Sequence, residues 1–254
     1  MRAWYSVLLM LALVGVPACA GERAPSITVG AASSLQPLLD SIKPGFEEES
    51  GITLHITYAA SGALVRQIEQ GAPIDVFVSA SAQYIDELSA GSFLRQDSLA
   101  AIGYGQLVLI RPEQDSGEIR SFADAERIAI ANPETAPYGT AAKSLLESSG
   151  LWHLVEPRIV YAESALQAYQ FANAGEVDYA FVPLPLVRTP ADGIAYGDLA
   201  AAGLGSMPTV KYMAAVTTST DEEEGARGFI DYLATPEVQA KVQEFGYNST
   251  LGPR

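Results

Sequence analysis

Apolar positions along this chain switch repeatedly between a two-residue spacing and the three-to-four-residue spacing of a helix face. Ser26 to Gly30 reads as a first strand, and Leu35, Leu38, Leu39, Ile42 and Phe46 then share one helical stripe. Pro37 falls in the first turn of that helix, where proline is tolerated, whereas Pro44-Gly45 is expected to kink or break it. Ile52 to Tyr58 alternates as a strand, and a stripe of Leu64, Val65 and Ile68 follows. Ile74 to Val78 is a largely apolar strand, after which Ser79-Ala80-Ser81 opens a helix carrying Tyr84, Ile85 and Leu88. Gln106–Ile110, Arg127–Ala131, Arg158–Tyr161 and Val177–Val182 read as further strands. Between them lie a short helix at 121–124, a turn-rich loop from Asn132 to Gly139, a helix from near Thr140, and one carrying Leu166, Tyr169 and Phe171. Pro208 to Val216 is a long extended segment. Two helices close the chain, one from about Asp221 to Leu233, the other with Thr235 as cap, Pro236 at its first position and a stop at Gly246.

This alternation of strand and helix predicts an α/β fold with mostly parallel sheets. Gly105–Arg111 and Thr209–Thr217 flank a self-contained middle portion. Read as crossover strands, they divide the chain into one lobe of residues 25–105 plus 212–254 and a second of residues 106–211. A ligand would then sit between the lobes, at strand carboxyl ends.

Length and composition change this picture mainly at the N-terminus. The 254 residues are 48% hydrophobic, enough for a substantial core. The apolar run Val7 to Val16 is too short to span a bilayer and fits the core of an export signal over residues 1–20. Ala18-Cys19-Ala20 is an A-x-A cleavage pattern, while Val16-Pro17-Ala18-Cys19 resembles a lipoprotein box with Cys19 as the acylated residue. Either reading places the mature protein outside the cytoplasm, in the periplasm or tethered to the membrane. Cys19 is the single cysteine, so no internal disulfide forms. A formal charge of −15 argues against nucleic-acid partners and against electrostatic binding to anionic lipid.

Candidate chemistry gathers at strand-to-helix junctions. Ser34, read as an N-cap for a helix starting at Leu35, lies beside Ser33; Ser61, Tyr138-Gly139 and Ser164-Ala165 stand at three further junctions. The first N–H groups of a helix lack internal partners and carry partial positive charge, so each junction is either an ordinary cap or an anion seat. Four of them facing one cleft would hold an oxyanion inside an acidic protein without any cationic side chain. Other chemistries find less support. Two histidines, His55 and His153, and one cysteine fit no metal spacing, so neither a metal site nor a cofactor is expected. G-x-S-x-G and phosphate-loop motifs are absent from the sequence. His55 near Ser61 is the nearest approach to a secreted serine hydrolase.

Ile27-Thr28-Val29-Gly30-Ala31-Ala32-Ser33-Ser34-Leu35, the run from Ala60 to Ala80, Asn132-Pro133-Glu134 with Ala136-Pro137-Tyr138-Gly139, and Gly175-Glu176-Val177-Asp178 resemble the molybdate-binding proteins of bacterial ABC transporters. The tail segments Phe229–Leu233 and Pro236–Gln239 are similar to the closing helices of the wider class. The resemblance implies a two-lobed, type II periplasmic-binding-protein fold, no enzymatic activity, and a monomer that delivers its ligand to an inner-membrane ABC permease. It further implies that molybdate, and tungstate with it, is held by the hydroxyls of Ser34 and Ser61 and the backbone N–H groups of Tyr138 and Ala165, with Ser33 as an added contact. Sulfate or phosphate is the alternative ligand. One position departs from the family pattern: Pro183 stands where many members carry a ligand-bonding tyrosine.

Overall fold

The computed structural model describes residues 25–111, 122, 125–187, 195–197, 204 and 208–249. The expected export signal, Cys19 and, apart from Phe122, the short helix at 121–124 lie outside them. In chain order the elements are β1 Ser26–Ala32, α1 Gln36–Ser50, β2 Thr53–Ala59, α2 Ser61–Glu69, β3 Val76–Ser79, α3 Ala82–Ala90 and β4 Ala100–Arg111. There follow β5 Ile128–Ala131, α4 Pro137–Ser148, α5 Trp152–Val155, β6 Ile159–Ala162, α6 Ala165–Asn173 and β7 Tyr179–Pro183. The last are β8 Ala195–Gly197, β9 Thr209–Val216, α7 Glu223–Leu233, α8 Pro236–Glu244 and β10 Asn248–Ser249.

The main run of the sheet has the order β2-β1-β3-β9-β4-β7-β5-β6. Its two ends are parallel, β2 and β3 against β1 at one end, β6 and β7 against β5 at the other. Its middle is antiparallel, because β9 lies between β3 and β4 and runs against both. β4 joins the halves. Its first part pairs with β9 from Ala100↔Ala214 to Gln106↔Thr209, and its second part pairs with β7 from Leu107↔Pro183 to Ile110↔Ala180. The chain therefore crosses on β4 and returns on β9, and the fold is the two-lobed type II periplasmic-binding-protein architecture.

A strand inside each half is covered on both faces, as parallel α/β packing requires: Val76 to Ser79 and Tyr179 to Pro183 contain no exposed residue. A continuous apolar core runs through both halves, from Leu38, Ile42 and Phe46 to Ile130, Leu146 and Phe181. Smaller clusters seat α2 and α3 on one side, around Leu64 and Ile85, and α6 on the other, around Ala168. Two expectations need correction. α1 runs unbroken through Pro44. The carbonyl that Pro44 leaves without an N–H partner belongs to Asp40, and both residues are exposed, so water satisfies it. β4 begins at Ala100, six residues before the expected start, because pairing with the distant β9 recruits a small-residue segment that has little strand character of its own.

Candidate functional site

The residues after β1 do not form the N-cap that the local pattern predicts. Ser33–Leu35 is a single 3-10 turn, α1 starts only at Gln36, and neither serine makes a side-chain cap bond. The Ser34 hydroxyl is engaged from elsewhere: Tyr212 Oη on β9 lies 2.9 Å from its Oγ, and Tyr247 Oη donates to its carbonyl at 2.7 Å. Both serines are almost fully buried. At the second junction Ala60 is the cap and Ser61 the first residue of α2, completely buried, with its Oγ accepting from the Ala80 N–H at 3.1 Å.

The other half supplies two helix N-termini. Ser164 caps α6 by accepting from the Gln167 N–H at 3.2 Å, which leaves Ala165 in the first turn. α4 starts at Pro137, three residues earlier than expected. Tyr138 and Gly139 thus belong to its first turn rather than to a loop, because Pro137 has the fixed φ of a first helical residue. An alanine Cβ at Gly139 would collide with the Ala131 carbonyl oxygen, so this glycine lets the start of α4 rest directly on the end of β5.

These junctions meet. The Leu166 N–H in the first turn of α6 is directed at Ser33 Oγ at 3.4 Å. The Gly62 N–H in the first turn of α2 donates to the Thr135 carbonyl just ahead of α4 at 2.8 Å, and Tyr84 Oη donates to the neighbouring Glu134 carbonyl at 3.3 Å. Tyr138 Oη lies 2.9 Å from Tyr212 Oη and so connects α4 to Ser34. Ser33 thus meets the turn that holds Ala165, Ser34 is linked to Tyr138 through Tyr212, and Ser61 stands next to Gly62, which is bonded to the loop ahead of α4.

The three serines share one bonding state. Each oxygen accepts from a protein donor, and among the described residues none of the three hydroxyls gives its proton to a protein acceptor. No Lys, Arg or His among those residues bonds to any of these groups. The cluster offers hydroxyl protons and helix N–H groups without a formal positive charge, which is the composition of an uncharged anion seat. Pro183, at the end of β7, is buried and supplies no donor.

The competing chemistries are not assembled. His55 is an exposed residue of β2 opposite Thr28 and does not bond to Ser61. Asp178 accepts from the Glu126 and Arg127 N–H groups at 2.7 and 2.9 Å, a structural use. Among the described residues no group of His, Cys, Asp and Glu could hold a metal ion. The sequence pattern did not single out Tyr212, Tyr247 or Thr135. Tyr212 alternates with Val210 and Ala214 as any inward strand residue does, so nothing local separates it from a core aromatic.

Fold and junctions together have the form of a two-lobed solute-binding protein. The sequence profile of the family described as bacterial extracellular solute-binding protein matches residues 27–248, and the chain belongs to that family. It is 30% identical over 254 residues to the molybdate-binding protein ModA of Rhodobacter capsulatus, covering 97% of this chain and 96% of the relative. It is also 30% identical to the putative ABC transporter substrate-binding lipoprotein YvgL of Bacillus subtilis, over 90% of this chain and 88% of that one. Among solved structures, the periplasmic molybdate-binding protein of Azotobacter vinelandii superposes with a TM-score of 0.77 at 27% identity, covering 87% of this chain and 98% of that chain. Family membership makes the chain a bacterial extracellular solute-binding protein. Among the described residues no helix is long and apolar enough to cross a membrane.

Proposed function

We propose that this protein captures molybdate, and tungstate with it, between its lobes and delivers it to an inner-membrane ABC permease. The observation that carries the reading is the bonding state of Ser33, Ser34 and Ser61: each oxygen is already occupied by a protein donor, so each proton is free for an anion. Ser34 and Ser61 act as hydroxyl donors, the backbone N–H groups of Tyr138 and Ala165 as amide donors, and Ser33 takes the place of the donor that Pro183 lacks. The relatives named for molybdate match over nearly the whole chain, which favours this oxyanion over others. The lobes comprise residues 25–105 with 212–254, and 106–211, and they close around the ligand because the closed state binds it more tightly. The protein acts as a monomer, and Cys19 carries a lipid anchor, in line with the lipoprotein relative.

Molybdate and tungstate are dianions of nearly equal size and larger than sulfate, so a ring of donors spaced for them closes poorly on sulfate. Titration calorimetry with molybdate, tungstate, sulfate and phosphate tests this directly. Tight binding of the first two alone is expected, and sulfate binding as tight as molybdate would overturn the assignment. Mass spectrometry of the mature N-terminus tests the anchor, with a diacylated Cys19 as the expected result.

A further inference from the structure

Ser34 stands at one end of a buried row of hydroxyls. Tyr212 Oη lies 2.9 Å from Ser34 Oγ on one side and 2.9 Å from Tyr138 Oη on the other. Tyr212 is completely buried and Tyr138 nearly so. The row links α4 through the returning strand β9 to the turn after β1. Gly105 on β4 makes room for it: an alanine Cβ there would collide with the Tyr138 hydroxyl and stand 2.9 Å from the Tyr212 ring.

Counting protons orients the row, since each hydroxyl has one to give. If Tyr212 donated to Tyr138, the Tyr138 proton would find no acceptor among the described residues, and a buried donor without a partner is penalised. If Tyr212 donates to Ser34, Tyr138 donates to Tyr212 and every phenolic proton is used. A phenol is also more acidic than an aliphatic hydroxyl, hence the better donor and the poorer acceptor, which favours the same direction. Burial pushes Tyr138 and Tyr212 up, so both keep their protons and no phenolate stands beside the seat.

We infer that Tyr212 is a specificity-determining residue: its proton occupies the Ser34 oxygen, so Ser34 meets a bound oxyanion only as a donor. This inference rests on the oxyanion reading above and names the feature that rejects protonated anions. Hydrogen phosphate brings a proton that needs an acceptor, and with Tyr212 on one lone pair of Ser34 Oγ, turning the other lone pair to the ligand would leave the Ser34 proton without an acceptor among the described residues. A fully deprotonated dianion makes no such demand.

The test compares Tyr212→Phe with Tyr247→Phe by titration calorimetry with molybdate and with phosphate. Tyr247→Phe also removes a buried hydroxyl from Ser34, but from its carbonyl rather than its Oγ. Tyr212→Phe is expected to weaken molybdate binding by about tenfold, the loss of the hydrogen bond that fixes the direction of the Ser34 proton. It is also expected to narrow the ratio of molybdate to phosphate affinity, whereas Tyr247→Phe leaves that ratio at the parent value. Tighter molybdate binding in Tyr212→Phe, or a ratio moved no further than in Tyr247→Phe, would overturn the inference. Neutron diffraction of the deuterated parent protein reads the row without a variant: the Tyr212 deuteron should point at Ser34 Oγ, and one pointing at Tyr138 would refute the orientation. A parent protein that does not bind molybdate sinks the proposed function, and the deuteron position still decides the row.

Discussion

Ser61 is placed to serve the fold and the proposed site at once. Its oxygen satisfies the Ala80 N–H inside the molecule, and its proton stays available. Ser61→Ala removes both. The Ala80 N–H is then buried without a partner, a loss of about 1–3 kcal/mol of stability. Chemical denaturation should show that loss, and calorimetry should show molybdate affinity down by about tenfold or more. Equal stability in the variant would mean that water replaces the hydroxyl and that the bond to Ala80 is dispensable. Ser34 is placed similarly but reached from β9 and from Tyr247, so its orientation depends on residues nearly two hundred positions away.

At the level of elements, the site depends on how closely helix N-termini approach strand ends. Gly139 and Gly228 provide a matched comparison. An alanine Cβ at Gly139 would meet the Ala131 carbonyl and the Asn132 backbone, neither of which can swing aside as a side chain could. Gly139→Ala should therefore destabilise by about 1–3 kcal/mol through overpacking and weaken binding by lifting the Tyr138 N–H out of position. Gly228, exposed in α7, has nothing within 4 Å of a built Cβ. Gly228→Ala should stabilise the protein by about 0.5–1 kcal/mol, the helix preference of alanine over glycine, with binding unchanged. Thermal melts and calorimetry on the two variants separate a packing requirement at the site from a general effect of replacing glycine.

The whole molecule combines an acidic composition with the proposed seat for an anion. With a formal charge of −15 it repels an approaching dianion, so salt should raise the association rate by screening that repulsion. Stopped-flow binding at low and high ionic strength checks the sign, and a rate that falls with salt would point to a local cationic path. The buried phenols set the alkaline limit. Burial raises Tyr138, Tyr212 and Tyr247 above the ordinary tyrosine value of about 10, so their folded pKa values exceed the unfolded ones. Their contribution to stability is complete below pH about 10. Above it the unfolded chain sheds protons that the fold retains, and stability falls as pH rises toward the folded values. Denaturation midpoints measured from neutral pH upward should decline above about pH 10, and Tyr212→Phe should show a shallower decline by about one proton.

The alternation of apolar spacings determined the α/β class, because strand and helix periods are properties of neighbouring residues, and it placed most elements within a few positions. Junction residues such as Ser34, Ser61 and Ala165 were legible for the same reason: a hydroxyl or small residue between a strand and a helix is a local pattern. The resemblance carried by 27–35 and 60–80 then gave such junctions a proposed use, the seating of an oxyanion. Tertiary structure decided what no local pattern encodes. It extended β4 back to Ala100 by pairing it with β9, and it carried α1 through Pro44 where solvent takes the freed carbonyl. It also converted Ser34 from an expected helix cap into the end of a hydroxyl row. That last change required Tyr212 and Tyr138, which are 178 and 104 residues along from Ser34 and come within reach only when β9 returns beside β4. Hydrogen-bond direction depends on which protons find acceptors, and that is a property of the assembled interior rather than of any stretch of chain.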